Sequence, residues 1–221
     1  MSRITIGIGI CLAILLGGCN REGGSQQARQ SEKGQLKPVV AIVPLVDKTM
    51  NDVPWSLSEE LTSTIHHRLS QTDKLYLASI EKIRAASKKL GTAQNPFGPD
   101  IHWTKKVFYQ DEFVVFMELI EHDEVPSANT KSIALESASA QLNMTVRVRV
   151  IDLRGEEPQI VLQEMIQDSH FIPKQFTKSN FYQVPWGKES YNISPLGLAH
   201  AQLSKEIATR LEDYILLAKA K

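Results

Sequence analysis

The chain has 221 residues, 25 Lys plus Arg against 25 Asp plus Glu, a formal net charge of +0 and 42% hydrophobic residues. That balance gives no reason to expect nucleic acid or an acidic lipid surface as a partner. Its two cysteines, Cys11 and Cys19, both lie near the start, so the rest of the chain has no thiol for a disulfide, a zinc site or thiol catalysis.

Arg3 supplies the opening positive charge, and Ile4 to Gly18 then carries none, which is the pattern of a signal peptide over residues 1–18. The run stops short of the roughly 20 apolar residues that a membrane-spanning helix needs. Leu16-Gly17-Gly18-Cys19 resembles the lipobox of bacterial lipoprotein precursors: an aliphatic residue, small residues at the cut, and a cysteine whose sulfur a diacylglyceryl transferase can alkylate. The resemblance implies a mature chain that starts at Cys19 and carries fatty acids such as palmitate there, so that Cys19 attaches the protein to a membrane. Asn20 stands where an aspartate would imply inner-membrane retention. Within the lipoprotein resemblance this favours the outer membrane, with the domain facing the periplasm, over an inner-membrane location. Residues 19–37 are Gly, Ser, Gln and charge with almost no apolar surface, the composition of a flexible tether. About 18 such residues reach roughly 23 Å on average.

Residues 38–221 read as a single domain. "PVVAIVPLVD" (38–47) is a near-continuous apolar run of strand length, as in a central strand buried on both faces. Ser56 and Glu59 have capping-box spacing ahead of a helix striped by Leu57, Leu61, Ile65 and Leu69. "KLYLAS" predicts a short strand, and "SIEKIRAASKKLG" a helix capped by Ser79 and ended at Gly91. "TAQNPFGPDIHW" breaks regularity with two prolines. "EFVVFMELIE" predicts a strand. "QLNMTVRVRVID" alternates Leu142, Met144, Val146, Val148 and Val150 with Asn143, Thr145, Arg147 and Arg149, a strand with one face toward water. "DLRGEEP" turns it back into "QIVLQEMIQD". Ser194-Pro195 then opens a helix with Ala199, Leu203, Ile207, Leu211 and Ile215 at spacing four. The expected fold is α/β (α+β), a single mixed sheet with helices packed on it, in the order strand-helix-strand-helix-strand-strand-strand-helix.

"VVAIVPLVDKT" followed by "WSLSEELTSTIHHRLSQTDKLYLASIEKI" resembles the opening of an envelope domain shared by curli-secretion lipoproteins, penicillin-binding-protein activator lipoproteins and the amino-terminal domain of the periplasmic Tol protein. Pro44, Leu45 and Asp47 stand at that family's Pro-Phe-x-Asp type turn, with Leu for the usual aromatic. "EFVVFMELIE" and "NMTVRVRVIDLRGEEPQIVLQE" are similar to its later strand and hairpin. The chain as a whole is also similar in character to lipoproteins of chlamydiae. These resemblances imply an interaction module in envelope assembly or secretion that docks an envelope protein. The other roles they leave open are a secretion-pore subunit and a carrier of an apolar ligand. A pore requires inserted strands of about ten residues that alternate apolar and polar, and neither "SANTKSIALESASAQ" nor residues 169–192 alternates that way.

No Gly-rich phosphate loop, nucleophile elbow or zinc-ligand spacing occurs, so neither an enzyme nor a cofactor is expected. His66 and His67 are adjacent on a helix and point about 100 degrees apart, which predicts one at the core edge and one on the surface. Glu118, Glu121, His122, Asp123 and Glu124 read as a solvated strand end. The segment 169–192 is different. It gathers Phe171, Phe176, Phe181, Tyr182, Trp186 and Tyr191 in a proline-broken connection, and such rings either roof the sheet or bind a partner. Phe171, Phe176, Phe181, Tyr182 and Trp186 are the candidate partner-binding residues.

Overall fold

The computed structural model describes residues 29–30, 34, 36–50, 53–88, 90–91, 94–126, 139–176 and 184–221. Cys19, Phe181 and Tyr182 lie outside the described residues.

Strand β1 (Val39–Ile42) is buried on both faces, as its apolar run requires. The apolar run does not continue as one strand. Pro44 interrupts it, and β2 (Val46–Asp47) resumes the pairing four residues on. The break frees the backbone of Leu45, whose N–H donates to Thr62 Oγ1 at 2.9 Å and whose carbonyl accepts from Ser58 Oγ. Both partners belong to α1 (Leu57–Gln71), so the helix supplies the hydrogen bonds that the missing strand residues would have made. Ser56 caps α1 by accepting from Glu59 N at 3.2 Å. His66 is half-buried in this helix and His67 exposed, as adjacent helix positions demand.

β3 (Tyr76–Leu77) leads into α2 (Ile80–Ser87), capped by Ser79. A short helix that periodicity does not reveal, α3 (His102–Val107), precedes β4 (Phe113–Pro126). β5 (Ala140–Asp152) and β6 (Gln159–Ile172) follow, then a 3-10 turn at Lys174–Phe176, α4 (Glu189–Asn192) and α5 (Pro195–Lys219). The strands form one mixed sheet in the order β3-β1-β4-β5-β6, with β2 also on β4. β1 is parallel to β3 and β4, whereas β4, β5 and β6 are antiparallel.

Helices α1 and α5 cover one face of the sheet. Leu61, Ile65, Leu203, Ile207, Leu211 and Ile215 are fully buried there against Met144, Val146 and Val148, and burial of each such side chain contributes about 1.5–3 kcal/mol. The opposite face carries a smaller core in which Ile83 of α2 and Trp103 and Phe108 of the α3 region meet Ala41, Val114, Phe116 and Ile151.

This second face corrects the reading of β5 as half wet. Arg149 is only 5% exposed. Its Nη1 donates to the carbonyls of Pro96 at 2.9 Å and Gly98 at 2.7 Å, its Nη2 to that of Phe97 at 3.1 Å, and its Nε to Gln163 Oε1 at 2.9 Å. The Arg147 guanidinium lies 4.1 Å from the centre of the Phe97 ring. The loop around Pro96, residues 94–100, therefore covers this face, held by a guanidinium whose planar fork reaches the Pro96, Phe97 and Gly98 carbonyls. Replacing Arg149 by Leu keeps the apolar stem but strands those carbonyls. The substitution is expected to lower unfolding stability by about 2–3 kcal/mol and to open the loop around Pro96 to limited proteolysis, which urea titration and a protease time course would measure.

Candidate functional site

The aromatic connection is shorter than the sequence suggests. β6 runs on through Ile172, so Phe171 is a strand residue, and the connection proper begins at Pro173. The structure divides the expected rings. Phe171 is 59% and Phe176 39% exposed. Trp186 is half-buried against the core shared by α1 and α5. Tyr191, on α4, is buried and meets Trp55 edge to face with ring centroids 5.4 Å apart. One end of the connection thus roofs the core while the other displays aromatic surface.

Beneath the roof lies a buried polar hub that sequence reasoning missed. Glu60, in the first turns of α1, is 2% exposed. Its Oε1 accepts from Tyr191 Oη at 2.5 Å and from His200 Nδ1 at 2.8 Å, and its Oε2 from Trp55 Nε1 at 2.7 Å. His200, on α5, places its other ring nitrogen 2.9 Å from His122 Nε2 on β4. Burial by itself would raise the Glu60 pKa, but the hydrogen bonds and charge of His200, with the bonds from Tyr191 and Trp55, hold it below the usual carboxylate value. The Tyr191 phenol is pushed up by burial and by the Glu60 charge.

His122 corrects the reading of residues 118–124 as a solvated strand end. The register of β4 against β5 shifts between Leu119 and Glu121. Without that bulge, strict alternation would keep Glu121 on the face of Leu119. With it, Glu121 faces outward and accepts from Thr145 Oγ1 at 2.7 Å, while His122 turns inward. Glu118 faces outward as well, paired with Arg147. Among the described residues no group of three or more His, Cys, Asp or Glu side chains is arranged to hold a metal ion. The hub's members are 60 or more residues apart except Trp55 with Glu60 and Tyr191 with His200, so no local motif announces it. The available signal was a Glu within an otherwise core-facing helix stripe and a His on the buried face of α5.

Glycine at 197 closes the site. A Cβ there would lie 2.0 Å from the Tyr191 carbonyl oxygen, so the corner between α4 and α5 closes only around a residue without one. Gly197→Ala is expected to cost about 3 kcal/mol and to shift the near-ultraviolet circular dichroism of the Trp55–Tyr191 pair.

The hub also sets a pH dependence. Burial, and then the neighbouring His200, lower the His122 pKa from 6.5 to about 4, against the opposing pull of Glu60 and Asp47. Only one proton fits between the two Nε2 atoms, so protonating both rings breaks their contact. A group held neutral in the fold binds more protons when unfolded, so its stabilisation is full above about pH 6.5 and is lost as pH falls toward about 4. The loss is expected to be on the order of 3 kcal/mol. In urea titrations at stepped pH, His122→Gln, which keeps a hydrogen-bonding partner but does not titrate, should flatten that slope.

The fold and the hub define an α+β domain with one mixed sheet and an interior polar anchor. The chain belongs to a family of unknown function, DUF7499, which it matches over residues 26–219. No curated protein matches it. Among solved structures it is similar to the hypothetical protein CT253 from Chlamydia trachomatis, at 25% identity and a TM-score of 0.63 over 81% of this chain and 98% of that one. Fainter similarity extends to lipoprotein GNA1162 from Neisseria meningitidis, at 13% identity and a TM-score of 0.43 over 78% and 99% of the two chains. It extends also to the LpoB C-terminal domain from Escherichia coli, at 14% identity and a TM-score of 0.35 over 59% and 82%.

Proposed function

We propose that this protein is a lipid-anchored lipoprotein of the bacterial envelope, attached through Cys19 to the periplasmic side of the outer membrane, and that its domain is a non-catalytic module that docks another envelope protein. The observation that carries the anchor is Leu16-Gly17-Gly18-Cys19 between an uncharged apolar run and a polar tether. A thiol at that place has no partner cysteine downstream and one chemistry that fits all its flanks, acylation.

The docking surface is the open end of the aromatic connection. Phe171 and Phe176 project from the end of β6 and the turn after it. Exposed rings of this size lose apolar surface to water only when something covers them, which is how aromatic anchors contribute to binding. Phe181 and Tyr182 continue the same segment in sequence, and Trp186 ties its far end to the core. The placements of Phe171 and Phe176 support docking through these two rings, with Phe181 and Tyr182 added by their sequence and Trp186 fixing the segment to the core.

In a bacterium with the lipoprotein pathway, a fatty-acid probe should label the wild-type chain and leave Cys19→Ser unlabelled. Photo-crosslinkers at Phe171 and Phe176 should capture an envelope protein. Phe171→Ala and Phe176→Ala should melt within about 0.5 kcal/mol of wild type yet lose that capture, whereas Trp186→Ala should cost about 2 kcal/mol or more. Label retained on Cys19→Ser would remove the anchor from this reading, and capture undiminished by the Phe substitutions would remove the docking surface.

A further inference from the structure

A cleft of about 640 Å³ opens on the far side of the sheet from the polar hub, between the start of α2, the outer edge of β3 and the loop from α3 into β4. Its volume lies in the range of small-molecule sites. The floor is apolar, made by Val39, Ile83 and Phe108, all buried. The rim is charged with both signs. Lys82 stands on α2, Arg29 comes from the segment before β1, and Asp111 sits on the α3–β4 loop.

Among the described residues, the fold's own pairing leaves Asp111 and Lys82 over and uses Arg29 only in part. The Asp111 carboxylate takes no hydrogen bond or ion pair among the described residues, although its backbone N–H donates to the Phe108 carbonyl at 3.0 Å. Burial pushes its pKa up to about 6, and Lys82 is near enough to oppose that rise without forming an ion pair with it. Arg29 donates through Nη2 to Glu112 Oε1 at 3.2 Å, but its buried Nε has no partner among the described residues. Glu112 is in turn held by Lys219 at 2.7 Å and does not compete for Lys82. Among the described residues, the Asp111 carboxylate, the Lys82 ammonium and the remaining donor of Arg29, its Nε, therefore stand without partners around an apolar floor.

We infer that this cleft binds a small zwitterion with an apolar body, an apolar amino acid or short peptide with both termini free, its ammonium on Asp111 and its carboxylate toward Lys82 and Arg29. A fatty-acid anion would satisfy the cations and leave Asp111 bare, and a simple amine would do the reverse. Only a ligand of both signs matches the rim, and an aliphatic side chain matches the floor. The site is separate from the docking surface and does not rest on it.

The test is isothermal titration of the full chain in lipid nanodiscs at pH 7.5. The ligands are leucine, leucyl-leucine, the N-acetylated and C-amidated forms of the dipeptide, and octanoate. One or both of the free zwitterions should bind, and blocking either terminus of the dipeptide should weaken it at least ten-fold. Asp111→Asn should abolish the preference for a free amine, and Lys82→Gln, at an exposed position, the preference for a free carboxylate. Melting supplies a second readout. Burial favours the protonated form of Asp111, so its ionisation lowers stability as pH rises from the ordinary carboxylate range through about 6, and it is ionised at pH 7.5. Asp111→Asn should raise Tm at pH 7.5 and do so less at pH 4, when Lys82, Lys106 and Arg29 around it keep their charge. Octanoate binding as tightly as the zwitterions would overturn the inference. So would the absence of any binding to a normally melting wild type, or preferences unchanged in the two variants.

Discussion

A carboxylate taken out of water must find its hydrogen bonds in the protein, and Glu60 finds them in three separate stretches of chain. Trp55 precedes α1, Tyr191 closes the aromatic connection, and His200 stands on α5. His200 in turn meets His122 of the sheet. The apolar packing of α1 and α5 on the sheet allows some sliding, because hydrocarbon contact has no direction. Three short hydrogen bonds to one carboxylate do not. They fix how far α5 advances along α1 and where the connection lands, so the covered and displayed halves of the aromatic segment both follow from this one satisfied charge.

Two interruptions of regular structure make the hub possible. The bulge in β4 moves His122 to the buried face, and the Pro44 break leaves Leu45 to be held by Ser58 and Thr62 of α1. The Pro44 break loses ladder hydrogen bonds locally and recovers them from side chains. On the opposite face Arg149 performs the equivalent task for the loop around Pro96. The two faces are closed differently, one by helices on aliphatic side chains and the other partly by a guanidinium and carbonyls. A charged cleft remains open on this second face, beside α2.

Both proposed surfaces use side chains that are left over from the core. Phe171 and Phe176 are large rings that the core does not use, and Asp111 is a carboxylate without a side-chain partner among the described residues. Both stand on connections or strand ends rather than inside an element, where side chains can be exposed without breaking a backbone ladder.

Composition, period and capping determined much of this protein. The apolar run of β1, the four-residue stripes of α1 and α5, the Ser56 and Ser194 caps and the β5–β6 hairpin are all local signals, because hydrophobic period reports which face of an element is covered. The lipobox-like pattern Leu16-Gly17-Gly18-Cys19 is equally a matter of neighbouring residues. Tertiary structure alone decided the rest. α3 and α4 are too short to show a period. The bulge that turns His122 inward depends on a partner strand, and the burial of Arg149 on a loop some 50 residues away. The meeting of Glu60 with Tyr191 and His200 spans more than 130 residues. A polar residue reads as exposed until a distant partner satisfies it, and no local pattern encodes that partner.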